Sequence, residues 1–299
     1  MKRIEVREPY FALQNLSLDA AGRIHAEVPV EQPLGQEVLP LCAAEAGRHL
    51  AILGSVATAF ANPNPEKYFY LAHKATLSRI TPVVPTAHTV EPLRATACGH
   101  LANKRTALAQ VTLDTAQGDP LYDLDIQYHV LAEPVFAKLF KDRHRELRTR
   151  PRERQPATPL EQAQMQYLRA NPYQNPLPLY GIEINSECMT ATLGQVPAYY
   201  CTGHFPFYPA LPVAVLVSCL FNMTGHLLRF RHQAKGRFTY LVTHSTLQAD
   251  NLAFAGEEVA LSARHVESDG RNHHFHSEAF TSPGTCVGDL QIMLTEMEG

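Results

Sequence analysis

Two long apolar segments, about 170 residues apart, constrain the fold of this 299-residue chain more than any other feature. Residues 41–60 and 211–230 each have the composition of a buried helix, and Pro40 and Pro212 mark their starts. A strand-like segment precedes each helix, and several short segments with period-two alternation follow it. The order of elements therefore predicts two copies of one α+β unit rather than two unrelated domains.

The predicted unit is a long hydrophobic helix wrapped by an antiparallel sheet. This is the hotdog arrangement, and two such units in one chain make a double hotdog. Joining the two sheets edge to edge would remove strand edges that an isolated unit leaves exposed. We expect an N-terminal hotdog over residues 1–137 and a C-terminal hotdog over residues 179–299. Residues 138–178, rich in Lys, Arg and Pro, predict a solvated linker with a short helix at 160–169, and an anion-binding patch is the alternative.

Composition and charge narrow the class of protein. Hydrophobic residues make up 45% of the chain and charged residues 18%, which is typical of a globular protein, and the net charge of −3 indicates neither nucleic acid nor membrane as a partner. We see no signal peptide, and the longest apolar run, residues 210–221, is shorter than the roughly 20 residues that cross a bilayer. We therefore expect a cytoplasmic protein, either monomeric or homodimeric. The six cysteines form no C-x-x-C pair, which predicts buried, reduced thiols.

The loop before the second apolar helix carries the most specific motif. Its sequence, GHFPFYPALP over residues 203–212, resembles the active-site segment of the β-hydroxyacyl-ACP dehydratases, whose pattern is G-H-F-P-G-x-P-x-x-P-G-V-L. The resemblance implies a hotdog fold and a catalytic role for His204. The substrate-binding residues that it implies are Gly203, Phe207, Tyr208, Pro212 and Val213.

The C-terminal half departs from that pattern at the catalytic acid, because Ser218 stands fourteen residues after His204 where the family has Glu or Asp. Laid on the same pattern, the N-terminal half has Gln32 at the histidine position, but Glu45 at the acid position and His49 one helical turn later. This resembles the D-x-x-x-[QH] signature of polyketide synthase dehydratase domains, which are double hotdogs with the histidine on one unit and the acid on the other. The resemblance implies one composite site, His204 with Glu45 and His49, and one dead pair, Gln32 with Ser218.

The activity implied by this resemblance is dehydration of a 3-hydroxyacyl thioester in fatty acid or polyketide-type biosynthesis. His204 would take the C2 proton, and Glu45 would protonate the departing C3 hydroxyl group. A backbone N–H at Val213 or Ala214 would stabilise the enolate oxygen. The alternatives are a hotdog acyl thioesterase, in which Glu45 acts as base or nucleophile, and a non-catalytic or cyclase-like acyl-binding partner of a synthase.

The substrate would be carried on phosphopantetheine by an acyl carrier protein or by coenzyme A, and no other cofactor is expected. Because an acyl carrier protein is acidic, we expect a basic rim to receive it. One candidate rim follows the second helix and consists of Arg229, Arg231, Lys235 and Arg237, and the basic linker from residue 138 is the other. No metal site is predicted: the cluster of His273, His274 and His276 is typical of half-exposed strand residues, with a metal site as the alternative.

Overall fold

The structure is a computed structural model that describes residues 3–80, 92–149, 171–233, 238–282 and 284–297. Within these residues, the first unit has six strands and one central helix. In chain order these are β1 (Gln14–Leu18), β2 (Ile24–Val28), α1 (Ala43–Ala61), β3 (Tyr68–Arg79), β4 (Leu93–Asn103), β5 (Thr106–Asp114) and β6 (Pro120–Ala132).

The second unit repeats this order after a connecting helix and a short 3₁₀ turn, Pro172–Gln174, and a second 3₁₀ turn, Ala198–Cys201, lies between its second strand and its central helix. The connecting helix is α2 (Glu133–Thr149). The elements of the second unit are β7 (Tyr180–Ile184), β8 (Cys188–Gln195), α3 (Val213–Arg231), β9 (Thr239–Gln248), β10 (Glu258–Asp269), β11 (Asn272–Thr281) and β12 (Thr285–Met297). The repeat predicted from the sequence is therefore present in the fold.

All twelve of these strands form a single antiparallel sheet, in the order β1-β2-β4-β5-β6-β3-β9-β12-β11-β10-β8-β7. The order is symmetric about the β3–β9 pair, in which Lys74 lies opposite Gln248 and Ser78 lies opposite His244. This pairing joins the two units edge to edge, as predicted. Among the described strands, only β1 and β7 are left with an unpaired edge.

The two central helices pack against the sheet and against each other. α1 contacts β2 to β6, α3 contacts β8, β10, β11 and β12, and α1 also contacts α3. An 18-residue window of α3 has a mean hydropathy of 1.5, which by length and composition alone would suit a membrane span. Half of that window is buried inside the fold, which is typical of the core helix of a hotdog unit.

The helix α2 crosses the predicted boundary between the first unit and the linker at residue 138. Its Phe136 stacks on Phe69 of β3 with ring centroids 3.9 Å apart, and Arg143 donates two hydrogen bonds to Glu257 at 2.6 and 3.0 Å. The first part of the predicted linker is therefore a helix packed on both units. The short helix predicted at 160–169 lies outside the described residues.

Candidate functional site

The loop that carries His204 is held in place by the N-terminal segment of the chain. The backbone N–H of Arg7 donates to the Gly203 carbonyl oxygen at 2.8 Å, and the N–H of Phe205 donates to the Glu5 carbonyl oxygen at 3.2 Å. Gly203 has a φ of +82°, and a Cβ at this position would collide with the Arg7 carbonyl oxygen. The tight approach of these two segments fixes the position of His204.

The His204 ring has a defined orientation and tautomer. Its Nδ1 lies 2.9 Å from the Ala210 carbonyl oxygen. Because a carbonyl oxygen can only accept, Nδ1 carries the proton in this bond, and Nε2 is left as the basic nitrogen. The ring also stacks on Phe205 at 3.9 Å and meets the edge of Tyr10 at 5.2 Å. Burial lowers the pKa of His204 to about 4, against the opposing effect of the Ala210 carbonyl, so the imidazole is neutral at pH 7.

His204 lines a cavity of about 80 Å³ together with the N-terminus of α3. Val213 and Ala214, the first two residues of that helix, line the same cavity. The N-cap residue is Pro212, which makes no side-chain capping bond, and the first turn contains no acidic residue. The N–H groups at the start of a helix have no partner within the helix and carry a partial positive charge. This end of α3 can therefore donate hydrogen bonds to an oxygen placed in the cavity.

Two polar side chains that the sequence analysis did not select, His129 and Asp250, also lie at this cavity, and a third, His73, contacts both. His73 Nδ1 lies 2.8 Å from Asp250 Oδ1, and the His73 and His129 rings are 4.2 Å apart. His129 and Asp250 line the cavity. Burial, and then the nearby His73, lowers the pKa of His129. The ligand atoms of this group lie within 4.8 Å of one another, a spacing that could accept a metal ion.

An apolar cavity of about 50 Å³ lies between α1 and α3 and adjoins the His204 cavity. Both cavities are lined by Ala51 and Ala72 of the first unit and by Val213 and Ala214 of the second. Beyond these shared residues the apolar cavity is walled largely by Ala, Leu, Ile, Val and Phe side chains from both units. An apolar chain attached to a group at His204 would therefore pass between the two central helices.

Glu45 lies in a different, largely buried cluster that also contains Arg48 and His49 of α1 and Glu31. Its carboxylate accepts backbone N–H groups from Glu31 at 2.6 Å and from Gln32 at 3.2 Å. Arg48 forms an ion pair with Glu31 and approaches Glu45 to 3.9 Å. His49 Nε2 is 3.6 Å from Glu45 and accepts a hydrogen bond from Arg48 at 3.0 Å. Burial lowers the pKa of His49. Glu45 and His49 therefore lie side by side within an ion-paired core.

The structure does not bring Glu45 to His204. Two tyrosine rings connect the clusters through ring contacts: Tyr10 meets Tyr173 at 5.1 Å and His204 at 5.2 Å, and the Arg48 guanidinium lies 5.6 Å from the Tyr173 ring. The α1 residues that do line the His204 cavity begin at position 51, which is about 9 Å farther along the helix axis than position 45.

The other pair considered from the sequence, Gln32 and Ser218, does share a cavity. This cavity of about 10 Å³ is also lined by Arg48 and Tyr173. The amide of Gln32 is occupied, because its Nε2 donates to the Tyr173 carbonyl oxygen at 2.6 Å and its Oε1 accepts from Cys42 Sγ at 3.4 Å. The cavity therefore has little room, and the Gln32 amide that lines it is already hydrogen-bonded.

The remaining predicted residues lie in the loop before α3, at the two ends of α3, or outside the described residues. Pro212 and Val213 stand at the start of α3, Phe207 is 66% exposed, and the Tyr208 ring packs on Phe136 at 5.3 Å. Arg229 and Arg231 lie in the last turn of α3, about 24 Å along the axis from its first turn. Lys235 and Arg237 lie outside the described residues.

Comparison with known proteins identifies the fold. No protein-family model matches the sequence, and no curated protein matches it. The TesB protein of Mycobacterium avium subspecies paratuberculosis has a TM-score of 0.59 at 11% identity, over 95% of this chain and 96% of that one. A protein of unknown function with a hot dog fold from Alicyclobacillus acidocaldarius gives 0.57 at 10% identity, over 98% and 100%. The 12:0-ACP thioesterase from Umbellularia californica gives 0.54 at 7% identity, over 97% and 100%.

These similarities confirm the predicted double hotdog. At such low identity they establish the fold and leave the activity to be argued from the site. The one activity named among these three is that of a thioesterase, whereas the dehydratase resemblance rests on sequence motifs, the loop at residues 203–212 and the spacing of Glu45 and His49.

Proposed function

We propose that the protein hydrolyses acyl thioesters at the His204 cavity. The observation that carries the proposal is that a neutral, oriented histidine and the uncapped N-terminus of α3 line one cavity. These are the two components that thioester hydrolysis needs: a base for water and hydrogen-bond donors for the oxyanion. The thioesterase among the similar structures supports the same reading.

In the proposed reaction, the thioester carbonyl oxygen accepts hydrogen bonds from the backbone N–H groups of Val213 and Ala214. His204 Nε2 takes a proton from a water molecule as the water oxygen attacks the carbonyl carbon. The tetrahedral oxyanion is stabilised by the positive end of α3. It then collapses with cleavage of the C–S bond, and His204 returns its proton to the thiolate sulfur. The products are a carboxylic acid and a free thiol.

The groups around His204 suit this reaction. The apolar cavity between α1 and α3 would receive the first carbons of the acyl chain, because it adjoins the His204 cavity at Ala51 and Val213. Asp250, held by His73 at the same cavity, offers a carboxylate oxygen that would orient the attacking water. Glu45, the base or nucleophile of the thioesterase alternative in the sequence analysis, has no such part in this proposal.

Hydrolysis fits the geometry better than dehydration does. Dehydration requires a second group that protonates the C3 hydroxyl, and Glu45 was predicted for this role. Its carboxylate is instead bonded to the backbone of residues 31 and 32. Hydrolysis needs no acid at that position, since water is the nucleophile and the thiolate is the leaving group.

The carrier is either acyl carrier protein or coenzyme A. Of the two basic segments predicted to receive it, α2 lies nearer to the proposed site, because its Phe140 lines the His204 cavity and its Lys138 and Lys141 are exposed. Arg229 and Arg231 lie at the far end of α3. We therefore favour α2 as the segment that meets the carrier.

The test is to incubate the purified chain with acyl and 3-hydroxyacyl thioesters of both carriers, measuring free thiol with a disulfide reagent and products by mass. We expect free thiol and fatty acid from the wild type. His204→Ala should lower kcat/KM by about 10²- to 10⁴-fold, the range for loss of a general base. The matched control is His276→Ala on β11, whose histidine lies 3.0 Å from Asp289 and away from the cavity; it should retain activity.

Two results would contradict the proposal. Absence of thiol release from every substrate would exclude hydrolysis. Equal rates of thiol release by His204→Ala and the wild type would exclude hydrolysis at the His204 cavity. Formation of an enoyl thioester with the carrier still attached would instead identify the protein as a dehydratase.

A further inference from the structure

A cluster of histidines lies at the C-terminal end of α3, far from the proposed thioester site. The histidine-rich strand β11 alternates along its length, so that His273 is buried while His274 is half-buried on the opposite face. His232, which ends α3 as its C-cap residue, lies against His273 with ring centroids 5.1 Å apart at 89°. Glu296 of the neighbouring strand β12 completes the cluster.

Three potential ligand atoms converge in this cluster. Both His232 Nε2 and His273 Nε2 lie 3.8 Å from Glu296 Oε2, and all three atoms lie within 4.8 Å of one another. These separations are too long for hydrogen bonds. They are close to the roughly 3.3–3.6 Å between ligand atoms of a tetrahedral zinc ion with bonds of about 2.0–2.2 Å. Small movements of the side chains would therefore close the three atoms around one ion.

His273 has the features expected of a metal ligand. The side chain is 5% exposed, and its Nε2 is buried with no hydrogen-bond partner among the described residues. Its other nitrogen, Nδ1, is 2.8 Å from Ser268 Oγ, which in turn lies 2.8 Å from His265 Nε2. Histidines that bind metals usually have the second nitrogen held in this way, which fixes the ring and directs the free lone pair.

The cluster also has a route for an ion to enter. The His232 and Glu296 side chains are 36% and 32% exposed, respectively, so the side of the cluster opposite His273 is open to solvent. That side leaves a fourth coordination position for water. Two imidazoles and one carboxylate suit zinc and its neighbours in the first transition row, whereas magnesium and calcium prefer oxygen ligands alone.

We propose that His232, His273 and Glu296 form a binding site for one divalent transition metal ion, with zinc as the preferred metal. The ion ties the C-terminal end of α3 to β11 and β12, since the three ligands come from the end of the helix and from two adjacent strands. Its role is to stabilise the second hotdog unit. The site is independent of the proposed hydrolysis at His204.

The proposal is tested with the full chain after treatment with a chelator and dialysis. Cobalt(II) is titrated as a spectroscopic probe, and zinc is then added in competition. We expect one equivalent of cobalt with the visible absorption of a tetrahedral site, displaced by zinc, and a rise in Tm when zinc is added. Glu296→Gln and His273→Gln should each weaken zinc binding by more than about 100-fold and abolish the rise in Tm.

The matched control is His274→Gln, one position along β11 on the opposite face, which should bind like the wild type. Because His273 is buried, circular dichroism checks that its variant is folded, and the partly exposed Glu296 provides the second, milder variant. Zinc binding that survives both ligand substitutions, or a wild-type Tm unaffected by zinc, would overturn the proposal. Neither result depends on whether the chain releases thiols from thioesters.

Discussion

The N-terminal ends of α1 and α3 hold equivalent places in the two hotdog units, yet they are satisfied in opposite ways. At α1, the carboxylate of Glu37 accepts the N–H of Ala43 at 2.8 Å, and Glu45 adds a second carboxylate in the first turn. At α3, Pro212 makes no side-chain cap and the first turn has no acid. Carboxyl groups of the chain itself therefore lie at the positive end of α1, while the described residues place none at that of α3.

The loops that precede the two helices also differ in how fully their polar side chains are hydrogen-bonded. Gln32 uses both ends of its amide in hydrogen bonds to the surrounding chain. His204 uses one ring nitrogen to hold its orientation, which leaves the other free for chemistry. A repeated fold thus supplies two geometrically similar positions, and the polar groups placed there make one of them part of the core and the other the proposed site.

The largest effect expected from this comparison comes from Arg48→Met. Arg48 is 2% exposed and is paired with Glu31, close to Glu45. Removing it leaves two carboxylates without their buried cation, which should lower the free energy of unfolding by about 3–5 kcal/mol. Urea denaturation followed by circular dichroism measures the loss. The rate of thiol release per folded molecule should be unchanged, because Arg48 does not line the His204 cavity.

Arg229→Met is the control for that change, because it makes the same substitution at an exposed position on α3. It should alter stability by no more than about 0.5 kcal/mol. If Arg48→Met were as stable as the wild type, the cluster would not be part of the core. If it folded normally but lost hydrolysis, catalysis would belong to the Gln32 side of the molecule.

A smaller difference is expected between two glycines of the same loops. Gly203 and Gly35 both have positive φ, +82° and +61°. A Cβ at 203 would collide with the Arg7 carbonyl oxygen, whereas a Cβ at 35 meets nothing within 4 Å. Gly35→Ala should therefore cost about 1–2 kcal/mol, the backbone term alone. Gly203→Ala should cost about 1–3 kcal/mol more, because the clash must be relieved by a backbone shift.

Denaturant unfolding of the two glycine variants, run side by side, measures this difference. Limited proteolysis adds a second readout, since release of the N-terminal segment in Gly203→Ala should expose residues 3–13 to cleavage. Equal costs for the two alanine variants would show that the contact with Arg7 contributes nothing, and that the N-terminal segment does not hold the His204 loop.

The fold could be predicted because its signals are periodic. The helices expected at 41–60 and 211–230 are Ala43–Ala61 and Val213–Arg231, and β11 alternates between half-buried and buried residues as a period-two strand should. α2 was missed because its many basic residues resemble a solvated linker. Its packing face rests on Phe136 and Phe140, one turn apart, and these become informative only when the aromatic cluster around them is seen.

The site was predicted less well, because hydrogen bonds to the backbone and strand pairing are not visible in a motif. Glu45 matches the position of a catalytic acid, but its partners are the N–H groups of residues 31 and 32. His73 and Asp250 are 177 residues apart and meet because β3 pairs with β9. The segments HKATLSRI (73–80) and HSTLQADN (244–251) hold matching places in the two repeats. A histidine in the first and a carboxylate in the second were the available signal.

The smallest expected effect, about tenfold in kcat/KM at pH 5.5, concerns the pH dependence of the reaction at His204. A histidine with the ordinary pKa of 6.5 is roughly one-tenth neutral at pH 5.5, whereas with a pKa of about 4 it is almost entirely neutral. If neutral His204 is the base, kcat/KM should therefore hold nearly constant down to pH 5 and fall only as the pH approaches 4. His276→Ala should keep this profile.

The unfolded chain takes up the proton near pH 6.5 and the folded chain does not, so the free energy of unfolding falls as the pH decreases from 6.5 towards 4. Circular dichroism at each pH separates that loss of structure from loss of the base, and a fall in kcat/KM centred near pH 6.5 in fully folded protein would exclude His204 as the group that activates water.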